Sequence, residues 1–544
     1  MASAGTNTTS SYKAEPSIRK HGSVNDVPTE ELGQSVTIDT NGQDLIENGT
    51  ITALGYQPAY RRVLGAFAGF CVVLSLTSPL GAILVSGHYP IYYAGYWGLS
   101  WGWILPNLMM LPQVLAICEL CSSMPVNAGS YWWAAALAPA RFSRPVAFIT
   151  GWFNILALST ALAAFSFAVA SGLAQNIMTF TDGLVLGNAH IMGFAMATIT
   201  IWAVLMLLRL ENVSILMMVT GTFLAVSSVA VIIALPVVHS QAGLPFAAAR
   251  DVFGSYKNYS PWSEAGIAVP ISFYGALFVN SVWTAPAYVA EETHNARVET
   301  PRAMLNSYIV TAVVGWGICL AFAFCISDMD TLVRTNIDFP LFEVVFRAWG
   351  KSTAAPFLLI GAIFSLVGSS GMLLTYATQV AAFARDEGLP YSKELCSIHE
   401  RTNMPLNAVA LLVGLSYLFL LPALSTNASD IIYAMATMCS MIILCIPLLL
   451  RLFAGDRWIP GPFNLGRWSK PAHFLGVLFS LFFFITRCFP PDPETPPAQA
   501  IVLVAVVTVA IGSWFIRGKN FKGLDLGALE AWRYAAHHTG AGSD

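Results

Sequence analysis

Long apolar stretches alternate with short polar ones over most of this 544-residue chain. A helix needs about 20 apolar residues to cross a bilayer, and twelve runs approach or exceed that length. They lie at about 66–86, 98–121, 145–175, 190–208, 213–238, 266–290, 303–326, 353–384, 405–424, 430–453, 471–489 and 500–516. The pattern predicts an all-α membrane protein with twelve transmembrane helices.

The first run contains a proline and a glycine near its midpoint. Pro79 has no N–H to donate, its ring crowds the carbonyl of Ser75, and Gly81 relaxes the backbone nearby. Thr77 and Ser78 add hydroxyl groups. Because lipid offers freed backbone groups no partner, we expect a broken helix whose break faces a cavity or ligand at the membrane midplane. The alternative is a proline kink that neighbouring helices satisfy.

The sixth run also contains a proline in its second half. Pro286 is expected to break the helix and to free the carbonyl of Val282. Two broken helices five runs apart are typical of two five-helix halves in opposite orientation, with a binding site between them. Similarity between the sequences of the halves is not detectable, so this inverted repeat is inferred from spacing alone.

Charge is scarce in this chain. Charged residues make up 10% of it, against about 25% in soluble domains, and Glu119, Asp430 and His473 lie at the ends of their runs. The absence of charge near the run centres argues against a proton pump built on a carboxylate relay. The scattered histidines argue against an enzyme, a metal centre or a cofactor site. A ligand must then be held by helix ends, backbone carbonyls, hydroxyls and aromatic rings.

The polar ends and loops predict the orientation. Residues 1–60 are too poor in apolar side chains to fold alone and predict a disordered tail without a signal peptide, followed by a membrane domain at 61–520 and a second tail at 521–544. With both termini in the cytosol, 21 of the 27 Lys and Arg residues fall on the cytosolic side, as the positive-inside rule requires. The six on the other side are Arg250, Lys257, Arg334, Arg347, Lys351 and Arg487.

The segment after the second run carries a recognisable motif. Glu119 to Trp133 reads as an acidic residue, small residues, a proline, then Gly-Ser-Tyr and aromatics. This resembles the signature of the amino acid–polyamine–choline permeases, and in particular fungal permeases of the amino acid/choline branch. Further matches, which together cover about residues 60 to 520, are Ala290-Glu291-Glu292-Thr293, Pro301-Arg302-Ala303, Ala384-Arg385-Asp386-Glu387-Gly388-Leu389-Pro390, Asn403-Met404-Pro405-Leu406-Asn407-Ala408 and Gly461-Pro462-Phe463-Asn464-Leu465-Gly466-Arg467.

The resemblance implies a five-plus-five inverted-repeat, LeuT-like transporter fold that works by alternating access. It places the substrate carboxylate on backbone N–H groups of the first break and the amine against carbonyls of the sixth-run break. A half-helix N-terminus carries about half a positive charge, so no arginine is needed. The implied binding residues are Thr77, Ser78, Pro79, Leu80 and Gly81 in the first run, and Val282, Trp283 and Thr284 in the sixth.

Charged motif residues at the predicted cytosolic ends of the runs suggest a gate. Ion pairs among them would break and re-form as the two halves rock against each other. The alternative is that they are solvated interface charges, worth less than about 1 kcal/mol each. The candidate gate residues are Glu119, Glu291, Glu292, Arg385 and Asp386.

Two tryptophans are candidates for the wall of the site. Trp152 of the third run and Trp283 of the sixth run could contact an ammonium group, since cation–π contact is worth about 1–2 kcal/mol. Packing in the core or against lipid is the alternative for both.

One departure from the family lies in the sixth run. Relatives usually carry a Gly-aromatic-Asp or similar segment there, whereas here Trp283-Thr284 runs straight into Ala285-Pro286. The hinge is about five residues short, which is about 7.5 Å of helical rise. Either transport by this chain is altered or weak, or the sequence omits a few codons at a misplaced splice boundary.

The features together predict a plasma-membrane permease that imports an amino acid or related amine. A GABA-like zwitterion fits the absence of an intramembrane counter-charge best, with choline, another quaternary amine or a polyamine as the alternative. Coupling to protons is expected by analogy with the family. The rivals are a non-transporting amino acid sensor and a facilitative channel; nucleic acid is not an expected partner.

Overall fold

The computed structural model of the chain describes residues 66–181, 184–334, 339–425, 428–494, 497–519 and 521–539. Within these ranges the regular structure is helical, and a β-bridge joins His399 and Met404. Eleven helices among the described residues are long and apolar enough to cross a membrane. The predicted all-α membrane class is therefore confirmed, while the predicted N-terminal tail lies outside the described residues.

The helices follow the twelve runs closely. In run order they are Ala66–Thr77 with Pro79–Ser86, His88–Ser123, Ala140–Phe180, Asn188–Leu205, Leu210–Gln241, Ala265–Ser272 with Tyr274–Val279, Ala296–Cys325, Lys351–Ser369 with Gly371–Arg385, Leu406–Phe419, Ala428–Leu452, Ser469–Arg487 and Ala498–Arg517. The connecting helices are Ser130–Leu137, Ala249–Gly254, Met329–Arg334, Pro340–Trp349 and Ser392–Leu395, and Leu526–Thr539 comes after the last run. Short 3-10 helices lie at Ala285–Glu292, Leu421–Leu424, Gly455–Arg457 and Gly466–Trp468.

Burial separates central helices from peripheral ones. In the helix Ala140–Phe180, 94% of the most apolar stretch is buried inside the protein, against 22% in Asn188–Leu205 and in Ala498–Arg517. Apolar side chains on the peripheral helices need no protein partner, because lipid tails are as apolar as they are. The third run is thus the centre of the fold, and the helices that pack on it form the walls of any internal site.

The first run breaks at a single residue. Ser78 has φ of 40° and ψ of 67°, a left-handed conformation, and the second half-helix starts at Pro79. A residue before proline is disfavoured in the right-handed helical region, so the break falls at Ser78 and not at Gly81. Two backbone bonds bridge it, from Ser78 N–H to the Leu74 carbonyl at 3.1 Å and from Ala82 N–H to the Ser78 carbonyl at 2.9 Å. The predicted interruption of this helix is confirmed.

The sixth run breaks over a longer stretch. Its helix ends at Val279, residues 280–284 are not helical, and a 3-10 helix then extends from Ala285 to Glu292. The N–H of Ala285 donates to the Val282 carbonyl at 3.1 Å. The prediction that this carbonyl is free is therefore wrong, because a bond to the third residue replaces the bond to the fourth that Pro286 cannot make.

Side chains from neighbouring helices hold this second break in place. Asn280 donates to the side-chain oxygen of Asn107 at 2.7 Å. The hydroxyl of Tyr308 donates to the same oxygen at 3.1 Å and to the Asn107 carbonyl at 2.9 Å. All three residues are buried. The second and seventh runs therefore fix the point at which the sixth run leaves the helix.

The chain after the last run packs onto the predicted cytosolic side. The ring of Phe521 is 1% exposed and lies 5.2 Å from Phe148 and 5.8 Å from Phe383, centroid to centroid. Lys522 pairs with Glu387 at 2.5 Å. The described part of the predicted C-terminal tail is thus attached to the ends of the third and eighth runs.

Candidate functional site

A cavity lies beside the break in the first run. It has a volume of about 70 Å³ and is lined by the first, third, fifth and eighth runs, with single residues from two other helices. Of the predicted binding residues, Thr77, Ser78, Leu80 and Gly81 line this Ser78 cavity. Pro79 is buried behind them. The prediction that the first break faces a cavity is confirmed.

The second half-helix begins beside this cavity with N–H groups for which the helix itself supplies no acceptor. Pro79 has no N–H, and the helix supplies no acceptor for the N–H groups of its second and third residues, Leu80 and Gly81. Both residues line the cavity, together with the hydroxyl-bearing Ser365 and Ser227. A helix N-terminus with free donors attracts a carboxylate. The break can therefore bind an anion although no cationic side chain lines the cavity.

Aromatic rings make up much of the remaining wall. Among the described residues that line the Ser78 cavity there is no Asp, Glu, Lys, Arg or His. Phe278 stacks on Phe165 with ring centroids 4.9 Å apart, and Phe223 stacks on Phe364 at 3.8 Å. Ring faces attract cations, so this wall suits the ammonium end of a small amine. The five lining phenylalanines are Phe165, Phe223, Phe278, Phe342 and Phe357.

Gly81 leaves room at the half-helix N-terminus. A Cβ added at this position would lie 3.0 Å from the hydroxyl oxygen of Ser78 and 3.8 Å from that of Ser365. The first distance is tighter than ordinary van der Waals contact, so even alanine would press on Ser78. A branched side chain would extend further into the space around the free donors.

A second, more polar cavity lies along the third run. This Thr284 cavity has a volume of about 30 Å³ and is lined by Ser281, Thr284 and Tyr288 of the sixth run, together with residues of the third, eighth and tenth runs. The third run contributes Ala161 to this cavity, and Phe165, about one helical turn further on, to the Ser78 cavity. The two cavities are therefore neighbours along one helix.

Several predicted binding residues lie outside both cavities. Trp283 is 2% exposed and packs edge-on against Tyr308, with ring centroids 6.1 Å apart. Val282 is also buried and lines neither cavity. Trp152 lines neither cavity and donates from its indole N–H to the carbonyl of Gly388 at 3.1 Å. For both tryptophans the structure places the side chain in core packing, so neither is included in the proposed site.

Three of the five candidate gate residues cluster around an asparagine. Arg385 donates two hydrogen bonds to the carboxylate of Glu291, at 3.2 and 3.3 Å. Asn127 donates from its backbone N–H to Glu291 at 3.1 Å and from its side chain to Glu292 at 3.2 Å. Its side-chain oxygen accepts the N–H of Glu291 at 2.9 Å. We call Asn127, Glu291, Glu292 and Arg385 the Asn127 network. Its carboxylates are buried, which removes the basis for treating them as solvated charges.

The remaining candidate gate residues make other contacts. Asp386, next to Arg385, accepts a hydrogen bond from the hydroxyl of Tyr131 at 3.0 Å. Glu119 is fully buried and accepts bonds from the hydroxyl of Ser469 at 2.7 Å and the N–H of Leu465 at 3.2 Å. Glu119 therefore braces the second run against the eleventh, and the structure does not bring it together with the Asn127 network.

The carboxyl group of Glu292 lies in an unusual environment. It is 1% exposed, and it lies beyond the last apolar residue of the sixth run. Burial and, next, the neighbouring carboxylate of Glu291 raise the pKa of Glu292 to about 8. Asn127 and Arg385 act in the opposite direction and more weakly. This carboxyl group can therefore hold a proton at neutral pH.

Sequence reasoning missed the residues that join these parts. Asn127 lies in the quoted motif between Pro125 and Gly129, and an asparagine between two turn-forming residues is a signal for backbone hydrogen bonding. Asn154 of the third run donates to Gln379 of the eighth run at 2.9 Å. Buried amides within apolar runs carry no comparable signal, because their partners lie far away in the sequence.

Comparisons with known proteins agree with this geometry. Residues 64–514 match the amino acid permease family. The chain is 28% identical over 508 residues to the uncharacterized amino-acid permease C74.04 of Schizosaccharomyces pombe, covering 91% of this chain and 89% of the relative. It is 26% identical over 498 residues to the GABA-specific permease of Saccharomyces cerevisiae (88% and 84% covered) and 25% identical over 498 residues to the amino-acid permease BAT1 of Arabidopsis thaliana (86% and 94%). The chain therefore belongs to the amino acid permease family, whose members are membrane transporters and not enzymes.

Proposed function

We propose that this protein is a secondary active transporter that imports an amino acid or related amine across the plasma membrane, with a GABA-like zwitterion as the preferred substrate. Transport proceeds by alternating access and is coupled to protons. The family supports an amino acid substrate, and the similarity to a GABA-specific permease supports the narrower class.

The observation that carries the proposal is the Ser78 cavity. Its uncharged wall combines free N–H donors at Leu80 and Gly81 with five phenylalanine rings. A carboxylate satisfies the donors and an ammonium satisfies the rings, so a molecule with both ends is matched without a buried counter-charge. Thr77 and Ser78 complete the carboxylate end, and Thr284, in the neighbouring cavity, contributes to the inner end of the path.

The transporter has twelve membrane crossings with both termini in the cytosol. Eleven are the long helices, and the sixth is made by Ala265–Val279 together with the non-helical residues and the first part of the 3-10 helix, as far as Ala290. Breaks in the first and sixth runs support an inverted repeat of five plus five helices, with the substrate between the halves. The Lys and Arg distribution supports the orientation.

The Asn127 network is the cytosolic gate in this proposal. It joins the loop after the second run to the end of the sixth run and, through Arg385, to the eighth run. Opening a cytosolic path between these elements requires its bonds to break. Glu119 and Asp386 brace helices beside the gate.

A second candidate substrate is choline or another quaternary amine. The five phenylalanines of the Ser78 cavity favour it, because ring faces bind a cation that has no N–H to donate. Choline lacks a carboxylate, however, and would leave the free donors of the first break unmatched.

Uptake of labelled GABA into proteoliposomes containing the purified protein tests the proposal. With an inward proton gradient, we expect label to accumulate above the external concentration, and unlabelled GABA to compete better than choline or spermidine. Stronger competition by choline would establish the second candidate instead. Equilibration without accumulation would identify a facilitator, and no movement of any substrate would identify a sensor.

A further inference from the structure

The Asn127 network contains more buried negative charge than positive charge. Arg385 engages both carboxylate oxygens of Glu291. Glu292, the next residue, is 1% exposed, and the part of the chain that the structure describes gives it no ion pair within 4.0 Å. Of these two adjacent buried carboxylates, only Glu291 is paired with the guanidinium group of Arg385.

A single hydrogen bond does not compensate a buried carboxylate. Among the other described residues, only Asn127 donates a hydrogen bond to the Glu292 side chain, from its amide at 3.2 Å, and the backbone N–H of Glu292 itself adds a further interaction. A buried ionised carboxylate costs several kcal/mol unless it is paired and well hydrogen-bonded, and a neighbouring like charge adds to that cost. Protonation removes both penalties, which is consistent with the pKa of about 8 given by the same surroundings.

We propose that Glu292 is the binding site of the coupling proton, occupied while the Asn127 network is closed and emptied when the network opens to the cytosol. The inference rests on the function proposed above. Binding converts the carboxylate to a carboxylic acid with one proton taken from the outer side. Opening exposes the group to cytosolic water, where burial no longer favours the neutral form and the proton leaves to water.

Polar groups connect Glu292 to the Thr284 cavity. Tyr288 lines that cavity, and Gln379 lies beside it on the eighth run. Gly129 packs against both: a Cβ there would lie 2.6 Å from the side-chain nitrogen of Gln379 and 3.2 Å from the Tyr288 ring. That nitrogen is buried and makes no hydrogen bond of ordinary geometry in the described chain, although it lies close enough to the Tyr288 hydroxyl to interact with it. Asn127, two residues before Gly129, then contacts Glu292.

This arrangement gives a proton a route from the outer side. In the predicted orientation the Ser78 cavity lies outside the Thr284 cavity, because the third run crosses from the cytosol outwards. The Gln379 nitrogen, between Tyr288 and Gly129, is a donor that a passing water molecule would satisfy. While the Asn127 network is closed, the proton reaches Glu292 from the outer side.

Other ionisable groups around Glu292 do not replace it. Glu291 already has Arg385 as its partner, through two hydrogen bonds. Asp386 accepts from Tyr131, and Arg297 donates to the carbonyl of Ser122 at 3.3 Å. The ionisable groups on the 3-10 helix and on the helices that contact it are Tyr288, Glu291, Cys71, Arg297, Glu299, Arg302, Tyr308, Cys319, Cys325, Tyr376 and Arg385, and adjoining segments add Cys118, Glu119, Cys121, Tyr131, His294 and Asp386.

The test uses the full-length protein in proteoliposomes with labelled GABA. Glu292→Gln mimics the permanently protonated carboxyl group. We expect it to lose accumulation driven by an inward proton gradient, so that the internal label does not exceed the external concentration, and to lose a clearly smaller fraction of the exchange of labelled for unlabelled GABA. The matched control is Glu299→Gln, which removes a partly exposed carboxylate paired with Arg302 and should preserve accumulation.

Several outcomes overturn the proposal, and they differ from failure of the proposed function. Gradient-driven accumulation by Glu292→Gln equal to wild type would exclude Glu292 as the proton site. If wild-type protein exchanges GABA but ignores the proton gradient, the permease function stands and the proton site does not. If wild-type protein does not exchange any candidate substrate, the proposed function itself fails.

A second variant covers the case in which Glu292→Gln does not fold. Glu292→Asp keeps the carboxyl group but shortens its reach to Asn127. For wild type we expect exchange to change with the pH of both compartments around a midpoint near pH 8, the pKa of Glu292. Glu292→Asp should accumulate GABA with a shifted midpoint. An unshifted midpoint would contradict the proposal.

Discussion

The two helix breaks differ in length and in the structure on their C-terminal side. The first uses one left-handed residue, Ser78, and continues as a regular half-helix with free donors at its start. The second uses residues 280–284 and continues as a 3-10 helix of eight residues that leads into the Asn127 network. The first break presents backbone to a cavity, whereas the second connects a cavity to buried charges. In the two proposals above, the first break binds the ligand and the second leads to the site of the coupling proton.

The 3-10 helix also explains how a short hinge reaches the network. A 3-10 helix rises about 2.0 Å per residue and an α-helix about 1.5 Å. Its eight residues therefore extend about 4 Å further than the same residues would in an α-helix, about half of the roughly 7.5 Å that the missing residues would supply. Val289 departs from helical geometry within this segment, with φ of −125°. This segment therefore rises further per residue than an α-helix would.

Gly81→Val should have the largest effect, because it acts on the first break directly. A Cβ at Gly81 already lies 3.0 Å from the Ser78 hydroxyl, and two further methyl groups would occupy the space in front of the free donors. We expect GABA uptake to fall to background with normal surface expression. The matched control is Gly193→Val in the peripheral fourth run, where a Cβ meets nothing within 4 Å. Normal uptake by Gly81→Val would show that the substrate does not bind at the first break.

Lengthening the sixth-run hinge tests the other side of the comparison. Inserting Gly-Tyr-Asp after Thr284, with one small residue on each side, supplies the five residues by which this hinge is expected to be short. We expect uptake to rise several-fold over the unmodified chain. Sequencing the transcript from Val282 to Glu291 shows which form the organism makes. Equal uptake with and without the insertion would establish the short hinge as functional.

Asn107→Leu should have an intermediate effect by loosening the anchor of the second break. It leaves the buried Asn280 amide without its partner, which costs about 1–3 kcal/mol. We expect a lower melting temperature of the purified protein and uptake reduced a few-fold. The double variant Asn107→Leu with Asn280→Leu removes both polar groups and should recover part of the stability. No recovery would show that Asn280 is not the residue held by Asn107.

Trp152→Phe should have the smallest effect, since this side chain lies outside both cavities. It loses one hydrogen bond to Gly388, worth about 1 kcal/mol, and keeps an aromatic ring beside Phe148. We expect GABA uptake and its competition profile to stay close to wild type. Phe278→Ala removes a ring from the Ser78 cavity. It should weaken competition by unlabelled GABA clearly more than Trp152→Phe does. A larger effect of Trp152→Phe than of Phe278→Ala would show that Trp152 lines the binding site.

Prediction from the sequence succeeded where one residue type decides the backbone. Pro79 within an apolar run is enough to predict the first break, because lost hydrogen bonds and ring clashes act locally. The break falls at Ser78 because proline restricts the residue before it. The same local reasoning failed for the Val282 carbonyl, since a 3-10 bond supplied a partner. Local rules predict that a helix ends but not which bonds replace it.

Side-chain contacts between distant runs were harder to predict. The pairing of Arg385 with Glu291 agrees with their shared place in the motifs and the predicted topology, yet the position of Glu119 beside Ser469 depends on how two helices rotate about their axes. The same rotation directs Trp152 towards Gly388 instead of a cavity. Asn127 was visible in the motif, but its role depends on the backbone of Glu291, 164 residues away.

The packed C-terminal segment bears on how this protein can be handled in the laboratory. The side chain of Arg533 donates to the carbonyl of Ala136, and Phe521 is inserted between aromatic rings of the third and eighth runs. A fluorescent protein or affinity tag fused after Asp544 would be tethered close to this contact. The Arg533 contact is made to the helix Ser130–Leu137, which begins three residues after Asn127. An N-terminal tag, separated from the first helix by about 60 residues, is the better position for measuring uptake without altering it.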